Sequence, residues 1–130
     1  MFFKYIIYGG NPMETYKAVF HIDKLENWSA LLNNISNLLK SFSKENESIE
    51  VIVVANANAV SYYTSSTHTE TEIKKLKELA KEEVQFTACH NSLNSQDIDT
   101  EDLYSFVKVV PAGVSELVKK QAEGFSYIKV

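Results

Sequence analysis

The segment IEVIVVAN, residues 49–56, is the most strand-like run of the sequence. Its centre, VIVV, consists of β-branched apolar residues with no polar residue among them. A strand that is apolar on both faces is typical of the interior of a parallel sheet, because helices cover such a sheet on both sides. We therefore predict a buried parallel strand here, which ends at the polar Asn56.

The segments around this strand repeat one order, a short apolar run followed by a longer stretch of helical period. Further strands are predicted over YKAVFHI (16–22), VQFTAC (84–89), FVKVV (106–110) and FSYIKV (125–130). Alternating strands and helices indicate a parallel sheet with crossover helices. The predicted fold class is α/β, a three-layer α/β/α domain over residues 15–130 with a mainly parallel sheet of about five strands.

The first residues, MFFKYIIYGGNP (1–12), stand apart from this pattern. Lys4 interrupts their apolar stretch, which is much shorter than the ~20 residues needed to span a bilayer. We predict an N-terminal arm or extra strand over residues 1–14, with a turn at Gly9-Gly10-Asn11-Pro12. A membrane is not expected as a partner.

The helices of the predicted domain are amphipathic. The first begins after Asp23, with Asp23 and Glu26 as a capping box, and its apolar stripe makes Trp28 a core residue. A helical turn in ANAVSYYTSST (57–67) precedes a second helix over residues 68–83, and HNSLNS (90–95) is predicted as loop. A short helix is predicted at residues 100–103. The last helix opens at Pro111, stops at Gly124, and is predicted to face the sheet with Val114, Leu117, Val118 and Ala122.

Composition and charge exclude several classes of function. The chain has 130 residues and a net charge of −4, and all 13 basic residues are lysines, so no arginine can contact phosphate or guanine through two parallel hydrogen bonds. Nucleic acid is not expected as a partner. A single cysteine cannot form an intrachain disulfide, which favours a cytoplasmic location. No glycine-rich phosphate loop or dinucleotide fingerprint occurs, and no cofactor is predicted.

The candidate site follows from the predicted topology, because ligands of open parallel sheets bind outside the carboxyl ends of the strands. In strand order, the residues at those ends are His21; Asn56 and Asn58; Cys89, His90 and Asn91; and Pro111, Ala112 and Gly113. If the strands stack in order, Cys89 lies near the amides that begin the last helix, and those amides stabilise a thiolate. Free cysteines are also common as small buried hydrophobes, so a reactive and a structural Cys89 both stay open.

The remaining polar candidates are weaker. His90 is either a general base or an exposed side chain, and Asn34 and Asn37, three residues apart on the first helix, either face solvent or donate to a ligand or a neighbouring subunit. The alternate spacing of His68, Glu70 and Glu72 fits no zinc pattern. It indicates a helix start, and no metal site is predicted.

Three blocks, VVANANAV, VQFTACHNSL and VKVVPAGVSELVKKQAEGFSYIKV, resemble the DsrE/DsrF-like family of small sulfur-metabolism proteins over residues 16–130. The resemblance implies a flavodoxin-like fold, homo-oligomers from dimers to hexamers, and a cysteine that carries sulfur as a persulfide. The family's cysteine falls on Cys89, its PAG on residues 111–113, and its paired asparagines on Asn34 and Asn37. Many relatives have glycine and proline where this chain has Asn58 and Ala59, and asparagine tolerates the left-handed backbone such a turn needs.

Two functions are compatible with these residues. The first is a sulfur carrier that relays sulfane sulfur as a persulfide on Cys89 from a donor protein to an acceptor protein. The alternative is a non-enzymatic, oligomeric small-ligand-binding module in which Cys89 is structural. His21, Asn34, Asn56 and Asn58 would line its pocket.

Overall fold

The computed structural model describes residues 7–8, 11–12, 15–65 and 69–130. Most of the arm predicted over residues 1–14, and His68, lie outside the described residues. Within the described part of the arm, β1 (Ile7–Tyr8) pairs antiparallel with β2 (Asn11–Pro12) as a separate two-stranded sheet.

Five parallel strands form the main sheet. They are β3 (Tyr16–Ile22), β4 (Ile49–Ala55), β5 (Gln85–Cys89), β6 (Val107–Val110) and β7 (Ser126–Lys129), in the spatial order β6-β5-β4-β3-β7. Every neighbouring pair is parallel. β4 is the central strand and is buried on both faces over residues 51–55, as its apolar run predicts. The predicted α/β fold is confirmed.

Within the described ranges, four α-helices and three short 3₁₀ segments connect the strands. The helices are α1 (Trp28–Lys44), α2 (Glu70–Lys81), α3 (His90–Ser95) and α4 (Gly113–Ala122), and the 3₁₀ segments are Leu25–Asn27, Ala57–Tyr63 and Thr100–Asp102. The first three helices share one apolar core with one sheet face, and α4 packs on the other face through Leu117. The domain is therefore three-layered, with a single helix in one layer.

Trp28 is a core residue, as predicted. It is 1% exposed and stacks on Tyr62 with a ring separation of 4.6 Å. Its indole N–H donates to the carbonyl of Ala59 at 2.9 Å. This bond ties the first turn of α1 to the segment that follows β4, where one part of the candidate site lies.

The predicted capping box of the first helix is wrong. A 3₁₀ turn precedes α1, and the side-chain oxygen of Asn58 accepts the Leu25 backbone N–H at 3.0 Å. Asp23 instead accepts a hydrogen bond from Lys129 at 2.9 Å, and that ammonium group lowers the pKa of the Asp23 carboxyl. The cap thus comes from the distant chain after β4, which local spacing does not reveal. Asn58 has a structural role here.

The predicted inward face of the last helix is also wrong in part. Leu117 faces the sheet, as predicted, but Val114 and Val118 are 66% and 62% exposed and Ala122 is exposed as well. The reason is that Gly113, four residues before Leu117, packs directly on the strand ends. Fixing positions 113 and 117 on the sheet turns positions 114 and 118 roughly 100° away from it.

The polar segment after β5 is a helix rather than the predicted loop. α3 begins immediately after Cys89, which is its N-cap residue. The segment has a single buried apolar side chain, Leu93, which joins the core shared with α1 and α2. Other elements of the fold bury Leu93, so the local sequence, with its two asparagines and two serines of low helix propensity, did not indicate the helix.

Candidate functional site

The strand registers bring His21, Asn56 and Cys89 to the same end and the same face of the sheet. His21 pairs with Val54 across β3 and β4, and Val54 pairs with Thr87 across β4 and β5. Asn56 and Cys89 follow these two residues by two positions, and side chains two apart on a strand share a face. All three therefore lie at the carboxyl end of the sheet, on the face that α4 covers.

The first residue of α4, Gly113, lies directly over the neighbouring ends of β4 and β5. A Cβ atom built on Gly113 would stand 3.4 Å from the Cβ atoms of Asn56 and Cys89 and 3.4 Å from Val54. A larger side chain has no room there. This close packing brings the backbone amide that begins α4 near Cys89.

Four hydrogen-bond donors lie near the sulfur of Cys89, namely the hydroxyl of Ser92 and the backbone amides of Gly113, Ser92 and Asn91. The Cys89 side chain makes no capping hydrogen bond within α3. Burial raises the pKa of the Cys89 thiol, but the nearby donors outweigh burial and hold the pKa below its ordinary value of 9.0. The fold thus favours the thiolate. Cys89 is 5% exposed, so the sulfur is recessed below the surface.

The Ser92 hydroxyl accepts a hydrogen bond from a backbone amide and keeps its own proton for donation to the sulfur. The backbone N–H of Ala57 donates to Ser92 Oγ at 2.8 Å, which leaves the hydroxyl proton for Cys89. Ala57 has φ of +52°, a left-handed conformation that costs an alanine roughly 1–2 kcal/mol. The residue with left-handed backbone after β4 is therefore Ala57. The sequence suggested Asn58 for this position instead.

A second set of hydrogen bonds runs along the same edge. His21 Nε2 lies 2.9 Å from Asn56 Oδ1, and His21 Nδ1 lies 2.7 Å from the hydroxyl of Tyr127. Because a carbonyl oxygen only accepts, Nε2 donates to Asn56, and Nδ1 and the Tyr127 hydroxyl form the second hydrogen bond of the ring. His21 thus fixes the orientation of the Asn56 side chain beside Cys89.

The other predicted site residues contribute backbone or lie elsewhere. The side chain of His90 is exposed and lies 3.5 Å from Asn94 on α3, and Asn91 offers its amide rather than its side chain. Pro111 and Ala112 lead into α4, with Ala112 as its N-cap. The structure does not bring His90's ring to the sulfur, because β5 ends at Cys89 and the chain turns at once into α3.

Asn34 and Asn37 lie on the exposed surface of α1. Asn37 lines a polar groove of about 620 Å³ between α1 and α2, which is separate from Cys89. Neither amide reaches the carboxyl end of the sheet, so the structure does not place them in the candidate site.

Two residues of the arrangement were missed from the sequence. Ser92 stands three positions after Cys89, the spacing at which an N-cap residue and a helix residue face each other, but the helix itself was not predicted. Side chains alternate between the two faces of a strand, and the pairing of β3 with β7 puts Tyr127 on the same face of the sheet as His21. In the described ranges, no three histidine, cysteine or acidic residues cluster to hold a metal, and no helix is long and apolar enough to cross a membrane.

Comparisons with known proteins agree with this fold. The model of the DsrE/DsrF-like family matches residues 17–130. The protein of unknown function MTH1491 from Methanobacterium thermoautotrophicum is 32% identical, with a TM-score of 0.76 over 88% of this chain and 99% of that one. The ychN protein from E. coli, 14% identical, has the same fold with a TM-score of 0.69 over 88% of this chain and 99% of its own.

The chain belongs to the DsrE/DsrF-like family, which is associated with sulfur relay. Comparison with the curated proteins gave no match. Within this family fold, the features that bear on chemistry are the recessed Cys89 with its four donors and the hydrogen-bonded row that ends at Asn56.

The hydrogen-bond donors near Cys89 predict that its pKa changes when one of them is removed. Replacing Ser92→Ala removes one hydrogen bond to the thiolate and should raise the pKa of Cys89. The measurement is the rate of Cys89 alkylation by iodoacetamide in the native protein as a function of pH, and its midpoint should move upward. Ser95→Ala is the matched control, because Ser95 Oγ donates to the Ser92 carbonyl at the far end of α3. An unchanged midpoint in Ser92→Ala would show that the hydroxyl does not stabilise the thiolate.

Proposed function

We propose that this protein is a sulfur carrier that holds sulfane sulfur as a persulfide on Cys89. The observation that carries the proposal is the position of Cys89, where the start of α4 packs against it and the donors of Gly113, Ser92 and Asn91 lie near one thiol and lower its pKa. Such an environment stabilises negative charge on sulfur, and the thiolate is the nucleophilic form of cysteine. Membership of the family supports the same chemistry.

The transfer step conserves atoms, charge and electrons. The Cys89 thiolate attacks the terminal sulfur of a donor persulfide, R–S–SH. The S–S bond of the donor breaks while the new S–S bond on Cys89 forms, and the donor leaves as the thiolate R–S⁻. The product is Cys89–S–SH, and an acceptor thiolate removes its terminal sulfur by the same step in reverse. No external oxidant or reductant is needed.

Partners and location follow from this chemistry. A carrier needs a donor and an acceptor, and we expect both to be thiol proteins that present sulfur at the rim where Cys89 lies. A single unpaired thiol stays reduced in the cytoplasm, so we place the relay there. The 5% exposure of Cys89 means that a donor has to deliver its sulfur through a narrow opening.

The low exposure of Cys89 also supports a second function. In a small-ligand-binding module, Cys89 would be part of the wall, and its amide donors together with Asn56 and His21 would bind an anionic group. Such a module would retain its ligand after replacement of the sulfur. The two functions therefore differ in whether Cys89 itself changes covalently.

The test is sulfur loading followed by intact-protein mass spectrometry. After treatment with glutathione persulfide, the native wild-type protein should gain the mass of one sulfur atom, and Cys89→Ser should gain none. Since the chain has only one cysteine, any sulfane sulfur that is gained is on Cys89. Brief treatment with glutathione thiolate should remove the added sulfur.

A wild-type protein that gains no sulfur, and whose native thiol is also inert to iodoacetamide, would contradict the carrier function. Unfolding that protein in urea before alkylation provides the internal control, because the thiol must then react. A thiol that reacts only after unfolding would favour the binding module.

We also propose that the protein assembles into a homo-oligomer through α4. Val114 and Val118 lie one helical turn apart and are 66% and 62% exposed, and Tyr127, on the same face of the sheet, is 43% exposed. These are the large apolar side chains that the single-helix layer leaves in contact with solvent. A second copy that covers them would also border the row of Tyr127, His21 and Asn56.

The oligomer prediction is tested by light scattering coupled to gel filtration. The wild-type protein should have a mass of two to six subunits, and Val114→Asp combined with Val118→Asp should lower it, because buried charges at an interface are costly. Ser115→Asp, on the exposed side of the same helix, is the control. A monomeric wild-type protein, or an unchanged mass in the double variant, would contradict this interface.

A further inference from the structure

We infer that Asn56 donates its side-chain amide to the terminal sulfur of the Cys89 persulfide, and that His21 is the positioning residue that orients this amide. The inference rests on the proposed carrier function and assigns roles to two residues beside the sulfur. It concerns the second sulfur atom, the one that is transferred, rather than the sulfur of Cys89 itself.

Asn56 lies beside Cys89 at the carboxyl end of the sheet. β4 lies between β3 and β5, so Asn56 at the end of β4 stands between His21 on one side and Cys89 on the other. The Cβ atoms of Asn56 and Cys89 both lie 3.4 Å from the position of a Cβ on Gly113. Asn56 and Cys89 therefore flank the same point at the start of α4.

Of the two polar atoms of the Asn56 side-chain amide, the nitrogen is available to donate a hydrogen bond. Oδ1 of Asn56 is 2.9 Å from His21 Nε2, on the β3 side of the strand. Among the described residues, Nδ2 of Asn56 makes no hydrogen bond. Asn56 is half-buried, and a half-buried amide nitrogen at the rim of the site is a donor that a bound anion can use.

The negative charge lies on a different sulfur atom in the ionised persulfide than in the thiolate. The hydroxyl of Ser92 and the three backbone amides lie near Sγ of Cys89 and lower the pKa of its thiol. The loaded form, Cys89–S–SH, has its acidic proton on the outer sulfur, and when that proton is lost the negative charge lies on the outer atom, one bond beyond the donors near Sγ. The outer sulfur needs a donor of its own, and the neighbouring strand end places Asn56 there. His21, fixed in turn by Tyr127 at 2.7 Å, keeps the carbonyl end of the amide turned away.

The experiment separates the two sulfur atoms by two readouts on the full chain. The first is the pH midpoint of Cys89 alkylation by iodoacetamide, which reports on the thiolate. The second is the fraction of protein that carries an extra sulfur after glutathione persulfide treatment, measured by intact mass at increasing times after removal of the donor. A general structural defect would change both readouts together.

Asn56→Ala should leave the alkylation midpoint within the spread of the controls and lower the persulfide fraction or its lifetime about ten-fold, the effect of losing one hydrogen bond to a charged group. His21→Ala should show the same split, and His21→Gln should restore part of the persulfide, because a glutamine amide can donate to Asn56 Oδ1. The controls are Asn34→Ala and His90→Ala, which alter exposed side chains of the same types away from the sulfur.

The outcomes distinguish this inference from the carrier function. Loading of the wild-type protein tests the carrier function before any variant is compared. If the wild-type protein loads and both Asn56→Ala and His21→Ala load and retain sulfur as well as the controls, the roles of Asn56 and His21 are overturned and the carrier function stands. If Asn56→Ala does not fold, as judged by circular dichroism, His21→Ala and its rescue by His21→Gln decide the question.

Discussion

The candidate site depends on the close approach of Gly113 to the ends of β4 and β5. The register of the central strands puts Ala55 opposite Ala88, so Asn56 and Cys89 leave the sheet side by side. The backbone at position 113 packs closely over both of them, at a distance where a methyl group would only just fit. The consequence is chemical, because the amide that begins α4 reaches the sulfur and lowers the pKa of Cys89 against the effect of burial.

The segment after β4 holds the other half of the site, and long-range hydrogen bonds fix it at several points. Ala59 accepts from the Trp28 indole, Asn58 accepts from the Leu25 amide, and Ala57 donates to Ser92. These bonds, at about 1 kcal/mol each, together offset the cost of the left-handed backbone at Ala57. Strain of this kind persists only where the surroundings impose it, and here it orients Ser92 toward the sulfur.

Much of this architecture could be predicted from the sequence, because the apolar run of β4 and the helical periods around it are local signals. The placement of Cys89 beside Gly113 also followed, since parallel strands end at a common edge. What could not be predicted depends on distant partners. The pairing of His21 with Tyr127 spans 106 residues, and the helix that carries Ser92 forms because Leu93 is buried by other elements. The outward turn of Val114 likewise depends on where Gly113 packs.

The free energy of unfolding in urea, measured against pH for the wild-type protein and for Cys89→Ser, shows whether the native fold stabilises the anionic form of the Cys89 sulfur. The folded thiol has a pKa below 9.0, and the unfolded thiol has the ordinary value, so unfolding takes up a proton between the two. The stability of wild type relative to Cys89→Ser should therefore rise with pH through that window and become constant above 9.0. A difference that stays flat, or falls, as pH rises toward 9.0 would contradict the account.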